Sequence, residues 1–129
     1  MSELHHIALT VSNLGISTDF YGGLLKFVNF TEGHRSPKVA VWHGKTFEII
    51  LYEANPDILS MPHKLYAPGY HHVALSAQNR EVVDQIGEWL IASGHTILDS
   101  PKEYPNYPGD YYAVFFLDPD GLKWEVMTN

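Results

Sequence analysis

Two stretches of this chain alternate apolar with small or polar residues, and they are near-copies: HHIALTVSN at 5–13 and HHVALSAQN at 71–79. Side chains alternate between faces along a strand. A strand over 4–11 therefore puts Ile7, Leu9 and Val11 on one face, with His5 at its end, and His6, Ala8 and Thr10 on the other. The second copy divides the same way. Val73, Leu75 and Ala77 take the core face, and His72, Ala74 and Ser76 form a small, polar face suited to a cavity wall. Helical periodicity follows each strand. Over 17–25, Phe20, Tyr21, Leu24 and Leu25 make one stripe, with Ser17 as its candidate cap. Over 80–92, Val82, Val83, Ile86, Trp89 and Leu90 recur at helical spacing, and Ser93-Gly94 reads as the stop.

Three strands are expected after each helix, at 27–31, 37–42 and 46–53 in the first half and at 95–98, 111–117 and 122–127 in the second. The turn residues His43-Gly44-Lys45 and Asp118-Pro119-Asp120-Gly121 separate the last two strands of each half. An internal repeat implies repeated supersecondary structure. Here the unit is βαβββ, at about 4–54 and again at 70–128, joined by a connector over 55–69 containing Pro56, Pro62 and Pro68. The fold class is α+β: one domain over 1–129, made of two tandem βαβββ modules whose strands form a curled, cleft-lining mixed sheet.

Composition narrows the function classes. At 129 residues and 45% hydrophobic content, the chain can bury a real core. A net charge of −7 with only eight Lys and Arg disfavours nucleic acid and anionic membranes as partners. No apolar run approaches a bilayer span and no signal segment opens the chain. The absence of cysteine excludes disulfides and thiolate metal sites and fits a cytoplasmic protein.

Two carboxylates stand out against this background. Phe47, Ile49 and Leu51 take the apolar face of their strand, leaving Glu48 on the other with Ile50 and Tyr52. Trp124 and Val126 take the core face of the last strand, leaving Glu125 with Met127. A mid-strand carboxylate among large apolar residues is costly unless paired or metal-bound. His6 and His72 lie 66 residues apart and Glu48 and Glu125 lie 77 apart, the surplus falling in the 101–110 loop. His6, Glu48, His72 and Glu125 are thus read as a symmetric set of metal ligands. Imidazole with carboxylate suits one divalent Zn, Ni, Co, Mn or Fe ion per site. His5 and His71 belong to core faces or a rim, and nothing ties His34, His43, His63 or His95 to the set. In the 102–112 segment, KEYPNYPGDYY, Tyr104, Tyr107 and Tyr111 either close over a ligand or pack the rim.

The chain resembles the vicinal oxygen chelate superfamily, which holds glyoxalase I, bleomycin-resistance proteins, fosfomycin-resistance enzymes, methylmalonyl-CoA epimerases and extradiol dioxygenases. HHIALTVSN with STDFYGGLLKF is similar to its opening strand and helix, YHHVALSAQN to the start of its second module, and FFLDPDGLKWEV to its final hairpin. The resemblance covers essentially the whole chain. It implies His6 rather than His5 and His72 rather than His71 as metal ligands, with Glu48 and Glu125 in the carboxylate positions. Glyoxalase I is the member that this ligand set most resembles, although its arginine near the start of the first helix has no counterpart in NLGISTDF.

The expected function is that of a glyoxalase-type lyase or isomerase acting on a small molecule that chelates the metal through two adjacent oxygens. Glu125 or Glu48 would transfer the proton that makes an enediolate. The alternatives are a bleomycin-resistance-like protein that sequesters a small molecule without catalysis, and an extradiol-type dioxygenase. A homodimer is expected, because one βαβββ unit makes only half a cup.

Overall fold

A computed structural model describes residues 1–58 and 62–129; part of the expected connector, 59–61, lies outside them. The chain divides into two compact units, Met1–Pro62 and His63–Asn129. Unit 1 contains β1 (His6–Val11), α1 (Leu14–Phe27), β2 (Thr31–Arg35), β3 (Val39–His43) and β4 (Glu48–Glu53), then a short 3-10 turn at Pro56–Ile58. Unit 2 contains β5 (Val73–Ser76), α2 (Arg80–Ala92), β6 (Ile97–Glu103), β7 (Tyr112–Leu117) and β8 (Lys123–Thr128). Each unit is therefore βαβββ, as the repeat implies. Its sheet is four-stranded and mixed, in the order β1-β4-β3-β2 or β5-β8-β7-β6. The first strand of each unit runs parallel to the last, and the other pairings are antiparallel.

Burial follows the alternation. Leu9 and Val11 of β1 are buried while His6, Ala8 and Thr10 are exposed. In β5, Leu75 is buried between exposed Ala74 and Ser76. The core of unit 1 packs Phe20, Tyr21, Leu24 and Leu25 of α1 with Trp42, Ile49 and Leu51 of the sheet. That of unit 2 packs Val83, Ile86 and Leu90 of α2 with Val114, Phe116, Trp124 and Val126. Removing these side chains from water is the main drive for each unit.

The helix starts differ from the sequence reading at one point. Asn13, not Ser17, caps α1, its side-chain oxygen accepting from the Ile16 N–H, and the helix begins at Leu14. Ser17 is buried inside the helix instead. Asn79 caps α2 in the same way, accepting from Val82 N–H. Asn13 and Asn79 are the last residues of the two near-copies, so the repeat carries its own helix start. Glu53 satisfies a second free donor of α1, the Leu14 N–H at 3.1 Å.

The expected strand at 27–31 begins only at Thr31. The helix first runs on to Phe27, and Asn29 takes a left-handed conformation with φ 65° to turn the chain out of it. In unit 2, β6 runs on to Glu103, through Pro101, with shifts in its register against β7. The first residues of the expected 101–110 loop are thus edge strand, where a proline is tolerated.

Candidate functional site

In unit 2, β8 brings Glu125 to the middle of the sheet face opposite the core. Trp124 and Val126 on either side point into the core and are fully buried. Glu125 is itself only 3% exposed. Its two oxygens have different neighbours. Oε2 lies 3.3 Å from His72 Nε2. Oε1 accepts a short hydrogen bond from the Tyr111 hydroxyl. The other ring nitrogen of His72, Nδ1, is 2.8 Å or less from its sequence neighbour, at 2.7 Å from His71 Nδ1. That bond occupies Nδ1 and leaves Nε2 as the atom turned to Glu125.

Aromatic rings wall this pair. Phe115 lies opposite Glu125 in the β7–β8 register and its ring meets His72 edge-on at 6.1 Å. Tyr104 meets Phe115 at 5.7 Å and stacks on Tyr107 at 5.4 Å, and both meet Tyr111 edge-on. The three tyrosines therefore pack on one another and on the Glu125 carboxylate, which favours the packed reading of that segment over a free lid. Burial pushes the Tyr104 phenol up to about 12, with Asp99 adding to the effect. Tyr111 is also raised, first by burial and then by its bond to Glu125, so it remains a proton donor across the ordinary pH range. Loss of hydration holds His71 below the ordinary histidine value, helped by the neighbouring His72 and Lys123.

Unit 1 repeats part of this. His6 and His5 share an Nδ1–Nδ1 contact of 2.8 Å, the counterpart of the His71–His72 contact. His6 pairs with Glu48 across β1–β4, and Glu48 pairs with His43 across β4–β3. His6, Glu48 and His43 thus form a row across the sheet. The carboxylate of Glu48 lies 3.6 Å from His43 Nδ1 and is about one-third exposed. His43 was not tied to the set by the sequence; the hairpin register that brings it to Glu48 depends on the length of the turn between them.

The two glutamates do not occupy equivalent positions, contrary to the symmetry argued from spacing. In unit 2, Glu125 pairs with Ala74, two residues past His72. In unit 1, Ala8, two residues past His6, pairs with Ile50, and Glu48 pairs with His6 itself. Ile50 therefore stands where Glu125 would be expected.

Among the described residues, no three His, Asp or Glu side chains converge as one metal-holding group. The structure does bring His72 and Glu125 together within unit 2. Their geometry suits a shared ion: two donors each about 2.1 Å from one metal lie roughly 3.0–3.4 Å apart at tetrahedral or octahedral angles. The 3.3 Å separation falls inside that range. The sequence left Tyr111 either closing over a ligand or packing the rim. The signal for its role was present in the alternation, because Tyr111, Ala113 and Phe115 share one strand face.

Comparison with known proteins bears on this geometry. The family model for the Glyoxalase/Bleomycin resistance protein/Dioxygenase superfamily matches residues 3–126. The uncharacterized protein YqjT of Bacillus subtilis is 33% identical over 97% of this chain and 98% of its own length. The metallothiol transferase FosB of Staphylococcus epidermidis is 27% identical over 100% of this chain and 83% of its own. Among crystal structures, a proposed glyoxalase from Bacillus halodurans superposes with a TM-score of 0.88 at 24% identity, covering 98% of this chain and 95% of the other. At that identity the likeness establishes the fold.

Proposed function

From a chain that belongs to the Glyoxalase/Bleomycin resistance protein/Dioxygenase superfamily, we propose a metal-dependent enzyme of the glyoxalase type, acting on a small molecule with two adjacent oxygens. The observation that carries this is the buried Glu125 beside His72, with Oε2 of the carboxylate turned to Nε2 of the imidazole at 3.3 Å. His72 and Glu125 would hold one divalent transition metal, with His6 as a further ligand and Glu48 as the remaining candidate. Bound there, such an ion supplies a Lewis acid for the paired substrate oxygens. The chain's own groups do the rest. The carboxylate of Glu125 would move a proton at the carbon next to a carbonyl. The Tyr111 hydroxyl holds that carboxylate in place. Phe115 and Tyr104 wall one side of the His72–Glu125 pair.

The test is metal reconstitution followed by deuterium exchange at the substrate's alpha carbon. Stoichiometric binding of one transition metal, with exchange lost in Glu125→Gln, supports the reading. A chain that takes up almost no Zn, Co, Ni, Mn or Fe refutes it.

The register offers a second reading. With Ile50 in the place equivalent to Glu125, the ligands reduce to two histidines and one carboxylate, and the matching strand position offers no second carboxylate as a base. That set suits chemistry in which the metal activates the substrate and an outside nucleophile attacks. The staphylococcal relatives are named metallothiol transferases, so thiol addition to a small chelating electrophile is the corresponding reaction here. Metal-dependent consumption of a free thiol in the presence of a small electrophile, without alpha-carbon exchange, would select this reading. Oxygen uptake with a catechol would select oxygenase chemistry instead. The protein is further proposed to act as a homodimer in the cytoplasm.

A further inference from the structure

We propose that Tyr111 is a positioning residue that commits Glu125 to bind its metal through a single oxygen. The inference rests on the metal reading above. A carboxylate with both oxygens free can grip an ion with either or both. Here the oxygens are divided: Oε1 accepts from Tyr111, and only Oε2 faces His72. In a site this buried, a hydroxyl spent on one oxygen holds the carboxylate plane and leaves the other oxygen as the donor.

The phenol is itself well placed for this. Tyr111, Ala113 and Phe115 share a face of the β7 segment, and Phe115 lies opposite Glu125. Ala113 carries only a methyl group, so the phenol can lie back along the strand toward the carboxylate. Tyr107 and Tyr104 pack edge-on against the Tyr111 ring at 4.9 and 6.2 Å. The Tyr104 N–H donates to the Tyr111 carbonyl at 2.9 Å, closing the neck of the loop. Arg80, at the start of α2, then clamps both sides of that loop, donating to Glu103 at 2.7 Å and to Asp110 at 2.5 Å. Ring packing, strand register and a two-sided ion pair thus aim one hydroxyl at one carboxylate oxygen. Among the described residues unit 1 has no equivalent arrangement, because Ile50 occupies the matching strand position.

A hydroxyl that only filled space would leave metal binding unchanged when removed. The test uses Co(II), whose visible absorption reports coordination number and ligand geometry. Tyr111→Phe deletes one oxygen and keeps the ring, and Tyr107→Phe deletes a neighbouring hydroxyl as the control. Tyr111→Phe is expected to bind Co(II) about 10- to 100-fold more weakly than wild type. Its Co(II) spectrum should also change, as Glu125 becomes free to bind through two oxygens. Tyr107→Phe should match wild type in both.

A Tyr111→Phe chain with wild-type affinity and spectrum overturns the inference while leaving the metal site standing. Equal weakening by Tyr111→Phe and Tyr107→Phe also overturns it, since packing would then be the cause. Wild type that binds neither Co(II) nor Zn(II) removes the metal reading itself, and the inference with it. If Tyr111→Phe does not fold, Tyr111→Trp removes the hydroxyl while keeping a large ring and is read the same way.

Discussion

Glu125 and Glu48 look alike in the sequence and differ in the structure. Both stand in the last strand of their unit, on the face away from the core. Glu125 is buried beside His72, whereas Glu48 is partly exposed beside His43. Glu125→Gln should therefore weaken metal binding far more than Glu48→Gln, by at least about 100-fold if Glu125 is a direct ligand. Competition with a chelator measures both, and equal losses would restore the symmetric four-ligand set. The tyrosines give a second test at this scale. The Tyr104 phenol is pushed up to about 12, chiefly by burial, against an ordinary value near 10. The folded state therefore favours the neutral phenol. The stability linked to it is fully present below about pH 10 and is lost as pH rises toward about 12. In an alkaline titration followed by phenolate absorbance, part of the tyrosine signal should appear late and together with unfolding. Ionisation of all tyrosines near their ordinary value, with the fold intact, would contradict the buried cluster.

The elements show how much a short repeat can specify. HHIALTVSN and HHVALSAQN each encode a strand with one apolar face, and each ends in the asparagine that starts the next helix. The strand faces were legible because alternation is a local property of extended chain. The caps were legible in principle, since asparagine is among the preferred N-cap residues, but the apolar stripe of α1 drew the start toward Ser17. Asn13→Ala and Asn79→Ala should each cost about 1 kcal/mol, within a range of roughly 0.5–2. Chemical denaturation of each variant checks this. Ser17→Ala should show no such capping loss, because Ser17 lies within the helix. The strand after α1 was misplaced for a related reason: the left-handed turn at Asn29 uses residues whose hydrophobicity looks strand-like.

At the scale of the molecule, each unit has its own helix, sheet and core. Among the described residues no helix is long and apolar enough to cross a membrane. The proposed ligands His6 and His72 come from different units. This raises the question of whether one chain or two supply a site in the proposed homodimer. Mixing a His6→Ala chain with a Glu125→Ala chain answers it. Exchange between subunits leaves one site intact, so metal should return to about half of the sites by symmetry. A fully metal-binding monomer in sedimentation would refute both the dimer and the shared site.

Taken by itself, the sequence determined the two βαβββ units, the face on which each strand residue lies, and the placing of His6, His72, Glu48 and Glu125 on faces turned from the core. All of these follow from periodicities of two and of about 3.6 residues, which act between near neighbours. Only the tertiary structure decided the register of one strand against the next. It set Ile50 rather than Glu48 at the position matching Glu125, brought His43 to Glu48, and aimed Tyr111 at Glu125. Register depends on turn lengths and on cross-strand pairing between residues distant in the chain, and a two-residue slip keeps every side chain on its face. Alternation is blind to such a slip, and so the pattern that located the candidate site could not choose which carboxylate belongs to it.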